Sequence, residues 1–299
     1  MRILLLGKSG QLGWELNRTL ATLGHVITLD YPEIDLSQPK NLPVLIREIQ
    51  PDVIFNATAY TAVDQAESEA DLAYAINGLA PGILAEAAQK QGAALIHYST
   101  DYVFDGKKGK PYLETDVPKP VGVYGSSKLA GEQAISTVGG TYLILRTSWL
   151  YSLRRDSFVT KVLKWARQNT QLRIVTDQVS NPTWARMLAE ISAQLLVKAI
   201  QQSGAENQLN NWLGERKGIY HLAGSGFTSR LEWARAILQF DPHPDEQVAN
   251  ALEAAYTTEF PTPAQRPIFS ALNCDQFTKT FGLLLPPWEE ALKLAMEAE

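Results

Sequence analysis

Tyr124 and Lys128, four residues apart in Tyr124-Gly-Ser-Ser-Lys128, are the pair in this chain best suited to moving a proton. On a helix they share one face, their side chains stacked one turn apart. An ammonium held beside a phenol favours the phenolate, which would draw the tyrosine pKa down from about 10 towards the range of a working general acid. The spacing alone is common, and an exposed helical pair would look the same. Its meaning depends on the elements that position it.

Those elements begin at the first residue. Met1-Arg-Ile-Leu-Leu-Leu6 is an apolar run that reads as a buried strand, with no signal sequence expected before it. Gly7-Lys-Ser-Gly10-Gln-Leu-Gly13 follows at once, then the periodic segment Trp14 to Leu23. Strand, glycine turn and helix together are the setting of a dinucleotide-binding turn: the glycines let the backbone approach a pyrophosphate, and the helix N-terminus offers free N–H groups. The spacing is G-x-x-G-x-x-G, one residue longer in its first half than the usual fingerprint. A second strand, His25 to Asp30, ends in an acid of the kind that accepts hydrogen bonds from adenosine ribose hydroxyls. Such an acid repels a 2′-phosphate and leans the site towards NADH, although Lys8 or Arg18 could serve NADPH. Asp35 and Leu36 either flank the adenine or simply precede a helix near Pro39.

Further strands are expected at Asp52–Asn56, Ala94–Tyr98 and Tyr142–Arg146, with a helix from Ser126 to Ser136 and a long helical stretch from Glu69 to Gln91 broken around Gly78–Gly82. Alternation of this kind means a doubly wound parallel sheet, a Rossmann-type α/β fold. Ligands bind beyond the carboxyl ends of such strands, where Asn56–Thr61, Ser99–Asp101 and Thr147–Trp149 all fall. The dinucleotide domain is expected over 1–150, completed by a helix and a strand from 185–223. The segments 151–184 and 224–299, the latter rich in proline, are left for a smaller C-terminal substrate-binding lobe. Helices are expected over Phe158–Arg167, Ala185–Ile200 and Ser229–Phe240, a strand over Gly218–Ala223, and a surface linker over Ala205–Lys217.

Composition fits a cytoplasmic enzyme. The 299 residues carry 27 basic and 32 acidic side chains, a net charge of −5, which argues against nucleic acid as the partner. No apolar run approaches membrane-spanning length. The single cysteine, Cys274, excludes an internal disulfide and reads as a small buried residue. The four histidines, His25, His97, His221 and His243, lack metal-ligand spacing, and His97 and His221 sit in apolar runs as core residues.

Taken together, these motifs resemble those of the extended short-chain dehydrogenase/reductases, and among them the dTDP-4-dehydrorhamnose reductase family. The resemblance rests on the glycine turn with Trp14-Glu15, Asn56 to Asp64, Ser99-Thr-Asp-Tyr-Val-Phe-Asp-Gly106, Tyr124 to Glu132, Arg146-Thr-Ser-Trp149, Asp177-Gln178 with Pro182-Thr183, and Arg266-Pro267 with Ser270 and Leu272. It spans nearly the whole chain. It implies reduction of the C4 keto group of dTDP-4-dehydro-6-deoxy-L-mannose by NADPH or NADH, with Thr100, Tyr124 and Lys128 as the catalytic set. Gly7, Gly10, Gln11, Leu12, Gly13 and Asp30, with Asp35, Leu36, Ala59, Tyr60 and Thr61, would hold the cofactor. Asp101 and Trp149 would contact the sugar, and Arg266 the diphosphate of the nucleotide sugar.

Two departures from the family pattern stand out. Ser180 occupies a position usually held by glycine, where a positive φ would be costly. Some relatives dimerise around Mg2+ held by glutamates. Glu15 is present, but Arg186 stands where the second acid is usual, which puts the Mg2+ site, and a homodimer built on it, in question. Two other readings stay open: a 4-ketoreductase for a different nucleotide sugar, and a dinucleotide-binding regulatory subunit without turnover. The intact Thr100, Tyr124 and Lys128 speak against the last.

Overall fold

The computed structural model describes residues 1–203 and 209–297. Apolar runs near the start of the chain form strands β1 (Arg2–Leu6), β2 (His25–Leu29), β3 (Val53–Asn56), β4 (Ala94–Thr100) and β5 (Tyr142–Thr147). Four short strands follow: β6 (Leu150–Tyr151), β7 (Gln171–Val175), β8 (Val179–Ser180) and β9 (Thr183–Trp184). The last three are β10 (Gly218–His221), β11 (Thr228–Ser229) and β12 (Ala251–Ala255). Six of them make one parallel sheet in the order β2-β1-β3-β4-β5-β10. Its central strands β3 and β4 are buried at every residue, as expected of a sheet covered on both faces.

Helices Gln11–Leu20 and Ala185–Ser203 cover one face, where Leu12, Leu16 and Leu20 meet Leu188, Leu195 and Leu196 over Phe55, Ile96 and Leu145. Helices Leu42–Ile49, Ala80–Gln91 and Val123–Val138 cover the other, with Ile46, Leu84 and Ile135 over Leu4, Ile54 and Ile144. The chain leaves β1 towards β2 on one side and continues to β3 on the other. A crevice therefore opens beside β1 at the carboxyl ends of the strands.

The helical stretch after Glu69 is not broken at its glycines. Helix Ala70–Tyr74 runs through a π-helical turn, Ala75–Leu79, into Ala80–Gln91. Gly78, Gly82 and Gly131 serve close packing instead. A Cβ on Gly131 would lie 2.1 Å from the Asn77 carbonyl oxygen, and one on Gly82 would lie 3.0 Å from Ala134 Cβ. Helix Val123–Val138 thus rests directly on its neighbour's backbone.

The expected linker over Ala205–Lys217 needs correction. Its residues 205–208 lie outside the described residues, but Leu209–Gly214 is a helix that buries Leu209 and Leu213 in the main core and sets Trp212 against Phe281. β10 then joins the edge of the sheet as expected.

The smaller lobe has three two-stranded pairs, β6–β9, β7–β12 and β8–β11, and its own core of Tyr151, Val159, Trp184, Trp233 and Leu292. Helices Phe158–Gln168, Arg230–Gln239 and Trp288–Glu297 belong to it. Ser157 caps the first in a capping box with Thr160, and the Ser229 hydroxyl caps the second at Glu232. Cys274 is half-buried rather than fully buried, and burial pushes its thiol up to about 12.

Candidate active site

A cleft of about 650 Å³ opens at the carboxyl ends of the sheet. Asn56–Thr61, Ser99–Asp101 and Thr147–Trp149 all contribute to its wall, so the three polar clusters do meet on one rim.

One end is built by backbone. Gly7 has φ +88°, and a Cβ there would crowd the Ala57 carbonyl at 3.0 Å. A Cβ on Gly13 would lie 1.9 Å from the Gly7 carbonyl oxygen, so only glycine lets the helix start against the turn. Gly10 caps helix Gln11–Leu20 with extended backbone and no side-chain cap, which leaves the first N–H groups for a ligand. Gln11 and Leu12 line the cleft, and the buried Gln11 Oε1 has no hydrogen-bond partner among the described residues. Asp30 closes this end, accepting from Ser9 N at 2.8 Å and Tyr31 N at 2.9 Å. Burial pushes its carboxyl up, but those bonds and nearby Lys8 outweigh burial and hold it below its ordinary value. A glycine cradle that ends in the free N–H groups of a helix N-terminus fits a dinucleotide pyrophosphate.

The other end is built by side chains. Thr100, at the end of β4, accepts from Tyr102 N and donates to Asp101 Oδ1 at 3.2 Å. Tyr124 stands in the first turn of helix Val123–Val138, its hydroxyl beside Thr100 and its ring edge-on to Tyr102. Part of the Tyr124 ring is exposed, but its hydroxyl lies deep, and desolvation pushes its pKa up rather than down; the neighbouring Thr100 hydroxyl only moderates this. The expected depression by Lys128 is not seen. The lysine Nζ turns into the protein instead, donating to the Tyr98 carbonyl at 2.7 Å and lying 3.3 Å from His97 Nε2. Desolvation lowers Lys128 to about 8, against the pull of Glu132.

Behind them lies a buried ion pair that sequence reasoning assigned no contact. Glu132 and Arg146, each 1 % exposed, meet at 2.6 Å, and Ser99 Oγ donates to the same carboxylate at 2.5 Å. His221 stands by Arg146 at 3.4 Å. The quoted motifs Ser99-Thr-Asp, Tyr124 to Glu132 and Arg146-Thr-Ser-Trp149 each supply one member, which is the signal that was available.

The family pattern described as the RmlD substrate binding domain matches residues 1–299. Over 299 residues, 99 % of this chain and 98 % of the relative, the sequence is 40 % identical to a dTDP-4-dehydrorhamnose reductase of Burkholderia thailandensis. The chain belongs to the dTDP-4-dehydrorhamnose reductase family. Its fold is similar to the crystal structure of such a reductase from Clostridium acetobutylicum, with TM-score 0.88 and 32 % identity over 100 % of this chain and 99 % of that one. It is likewise similar to the Bacillus anthracis reductase solved in complex with NADP, with TM-score 0.87, 32 % identity and the same coverage.

Within this reductase-family fold, several residues singled out in the sequence lie elsewhere than expected. Leu36 is in the core under helix Leu42–Ile49, and Asp35 accepts from the N–H and hydroxyl of Ser37; neither lines the cleft. Ala59 and Thr61 do, but Tyr60 turns its hydroxyl to Glu69 at 2.6 Å. Arg266 is not on the cleft wall: it pairs with Asp64 at 2.8 Å and with Thr262 at 2.6 Å. Trp149 lines the cleft with φ +40°, and its ring is stacked on Trp233 and covered by the Arg230 guanidinium at 3.7 Å. Arg230, which the sequence reading passed over, also lies near Tyr102 and Asp101.

Asp101 is buried, its Oδ2 accepting from Ser180 Oγ at 3.1 Å and Ser270 Oγ at 2.5 Å. Desolvation lifts its carboxyl to about 6, less far than it would go without the three hydroxyl donors. Ser180 belongs to β8 and has no positive φ, so the strain expected at this position is absent, and its hydroxyl has a use that glycine lacks. Arg186 Nε lies 3.4 Å from Glu15 Oε2. Among the described residues no three His, Cys, Asp or Glu side chains cluster as a metal site, and no helix is long and apolar enough to cross a membrane.

Proposed function

We propose that this chain reduces the C4 keto group of dTDP-4-dehydro-6-deoxy-L-mannose with NADPH or NADH, giving dTDP-L-rhamnose, in the cytoplasm. The observation that carries the reading is the meeting of Thr100, Tyr124 and Lys128 with the glycine turn in one cleft. The bound dinucleotide would supply hydride to C4. Tyr124 keeps its proton in the resting site and gives it up to the alkoxide that forms as the carbonyl is reduced, an oxygen far more basic than a phenolate. Thr100 stands beside the Tyr124 hydroxyl, and its own hydroxyl donates to Asp101. Donors fixed before the charge develops need no reorganisation when it does.

In this reading Gly7, Gly10, Gln11, Leu12 and Gly13 receive the pyrophosphate, Asp30 the adenosine ribose and Lys128 the nicotinamide ribose. Residues 1–150 with 185–223 form the dinucleotide domain, and the remainder binds the nucleotide sugar. The test is loss of NAD(P)H absorbance with the keto sugar generated in situ, coupled to detection of dTDP-L-rhamnose. Oxidation with that product supports the reading. Dinucleotide binding without oxidation would overturn it in favour of another nucleotide sugar or a regulatory role.

A further inference from the structure

Lys128 ends a hydrogen-bonded chain whose polarity can be read from its other end. Thr58 supplies two donors to Asn56 Oδ1, its backbone N–H at 3.2 Å and its hydroxyl at 2.5 Å. A backbone N–H can only donate, so the oxygen of the Asn56 amide must face Thr58 and its Nδ2 must face His97. Asn56 Nδ2 lies 3.0 Å from His97 Nδ1 and can only donate to it. That nitrogen is therefore bare, and the proton of the neutral imidazole sits on Nε2. The Nε2–H faces Lys128 Nζ at 3.3 Å. An ammonium there would set donor against donor, whereas an amine has a lone pair to accept the bond and can still donate to the Tyr98 carbonyl at 2.7 Å. All four groups are buried or partly buried, so water does not readily rescue a mismatched link.

We propose that Thr58, Asn56 and His97 form a polarity-setting chain that holds Lys128 as the neutral amine, so that the lysine takes up a proton from solvent only when negative charge is placed beside it. His97 is then a positioning residue for the reductive site. Protonation uses the Nζ lone pair and ends the His97 bond, so it needs a compensating anion in the cleft, such as a phenolate at Tyr124 or a dinucleotide phosphate.

Burial brings Lys128 only to about 8, so the mismatch with the His97 N–H supplies the remaining preference for the amine at neutral pH, and the other charged groups nearby do not undo it. Glu132, one turn on along the same helix, favours the ammonium, but its carboxylate is already committed to Arg146 on β5 and Ser99 on β4. Asp101, at the end of β4, is committed to Ser180, Ser270 and Thr100. Tyr124 is neutral in the resting site. Burial in turn keeps His97 well below its ordinary pKa, which agrees with a neutral ring.

The consequence for turnover rests on the reductase reading above, but the test does not. Long-range proton–nitrogen correlation of the histidine rings reports tautomers directly, and the four histidines are few enough to assign, using His97→Gln to locate the signal. The expected result is Nε2–H with bare Nδ1 for His97 at neutral pH. Lys128→Met should leave it unchanged, because Thr58 and Asn56 set it. Asn56→Asp replaces a donor by an acceptor of the same shape, so it should flip His97 to Nδ1–H and raise the Lys128-linked inflection in the ring shifts and in kcat/KM by about one pH unit or more. A wild-type His97 found as Nδ1–H or doubly protonated would overturn the proposal. So would a folded Asn56→Asp variant with the original tautomer and inflection. Should that variant not fold, the wild-type spectrum still decides. Should the enzyme prefer another sugar, the tautomer result stands apart from that failure.

Discussion

The two ends of the cleft are made of different material. The glycine-turn end is backbone: a strand, a turn that excludes Cβ atoms and a helix N-terminus. The lobe end is side chains from segments far apart in sequence, with Asp101 just after β4, Ser180 on β8 and Ser270 near the C-terminus meeting at one carboxylate. A backbone site tolerates no added atom and depends little on charge. A side-chain site is adjustable, and its strength varies with protonation.

The sharpest way to break the backbone end is Gly13→Ala. The new Cβ would press on a carbonyl oxygen of the turn, which has no free end to swing aside, and overpacking of this kind costs about 1–3 kcal/mol or more. Calorimetric titration should show dinucleotide binding lost, together with a lowered Tm; unaltered affinity would mean that the turn is not the dinucleotide site. Next comes Tyr124→Phe, which separates the ends: turnover should fall by about 10²-fold or more while dinucleotide affinity stays near the parent's. Turnover close to the parent's would remove Tyr124 as the proton donor.

Asp101→Asn probes the charge dependence of the side-chain end. Burial lifts the Asp101 carboxyl to about 6 in the folded protein, above its ordinary value of 3.8. Its contribution to stability is therefore fully present below pH 3.8 and is lost as pH rises through about 6. At neutral pH the charged, buried group weighs against folding, so the neutral variant should gain up to ~3 kcal/mol there and nothing near pH 4. Denaturant titrations at both pH values give the comparison, and an equal effect at each would show that ionisation is not the cause. The smallest effect is expected for Asp30→Asn, which keeps one acceptor but removes the charge facing a 2′-phosphate. The preference in kcat/KM should shift towards NADPH by roughly tenfold or less, as a partly exposed charge is screened. No shift would assign the choice to another residue, Lys8 first.

The same contrast explains what could be read in advance. The sheet, its flanking helices and the glycine turn follow from local patterns: apolar runs of strand length, glycine spacing and helical periodicity. The rim was legible too, because polar residues at the ends of parallel strands must share one edge. Direction of side chains was not. Lys128 shares a helix face with Tyr124 as the spacing requires, yet its stem turns towards Tyr98 and His97, a choice set by tertiary contacts. Arg266 looked free in sequence because its partner, Asp64, lies 202 positions away. Leu36, too, joined the core once the sheet had closed around it.

The close seating of Gly131 on the Asn77 carbonyl has a consequence for how such a molecule can diverge. Tyr124 and Lys128 ride on a helix whose lengthwise slide is blocked by main-chain atoms, and no substitution elsewhere relieves that block. On the proposed reading this helix is a fixed stage, whereas Trp149 across the cleft is a side chain that can be exchanged. New sugars would be accommodated by changing what is brought to the helix, with the helix itself left where it is.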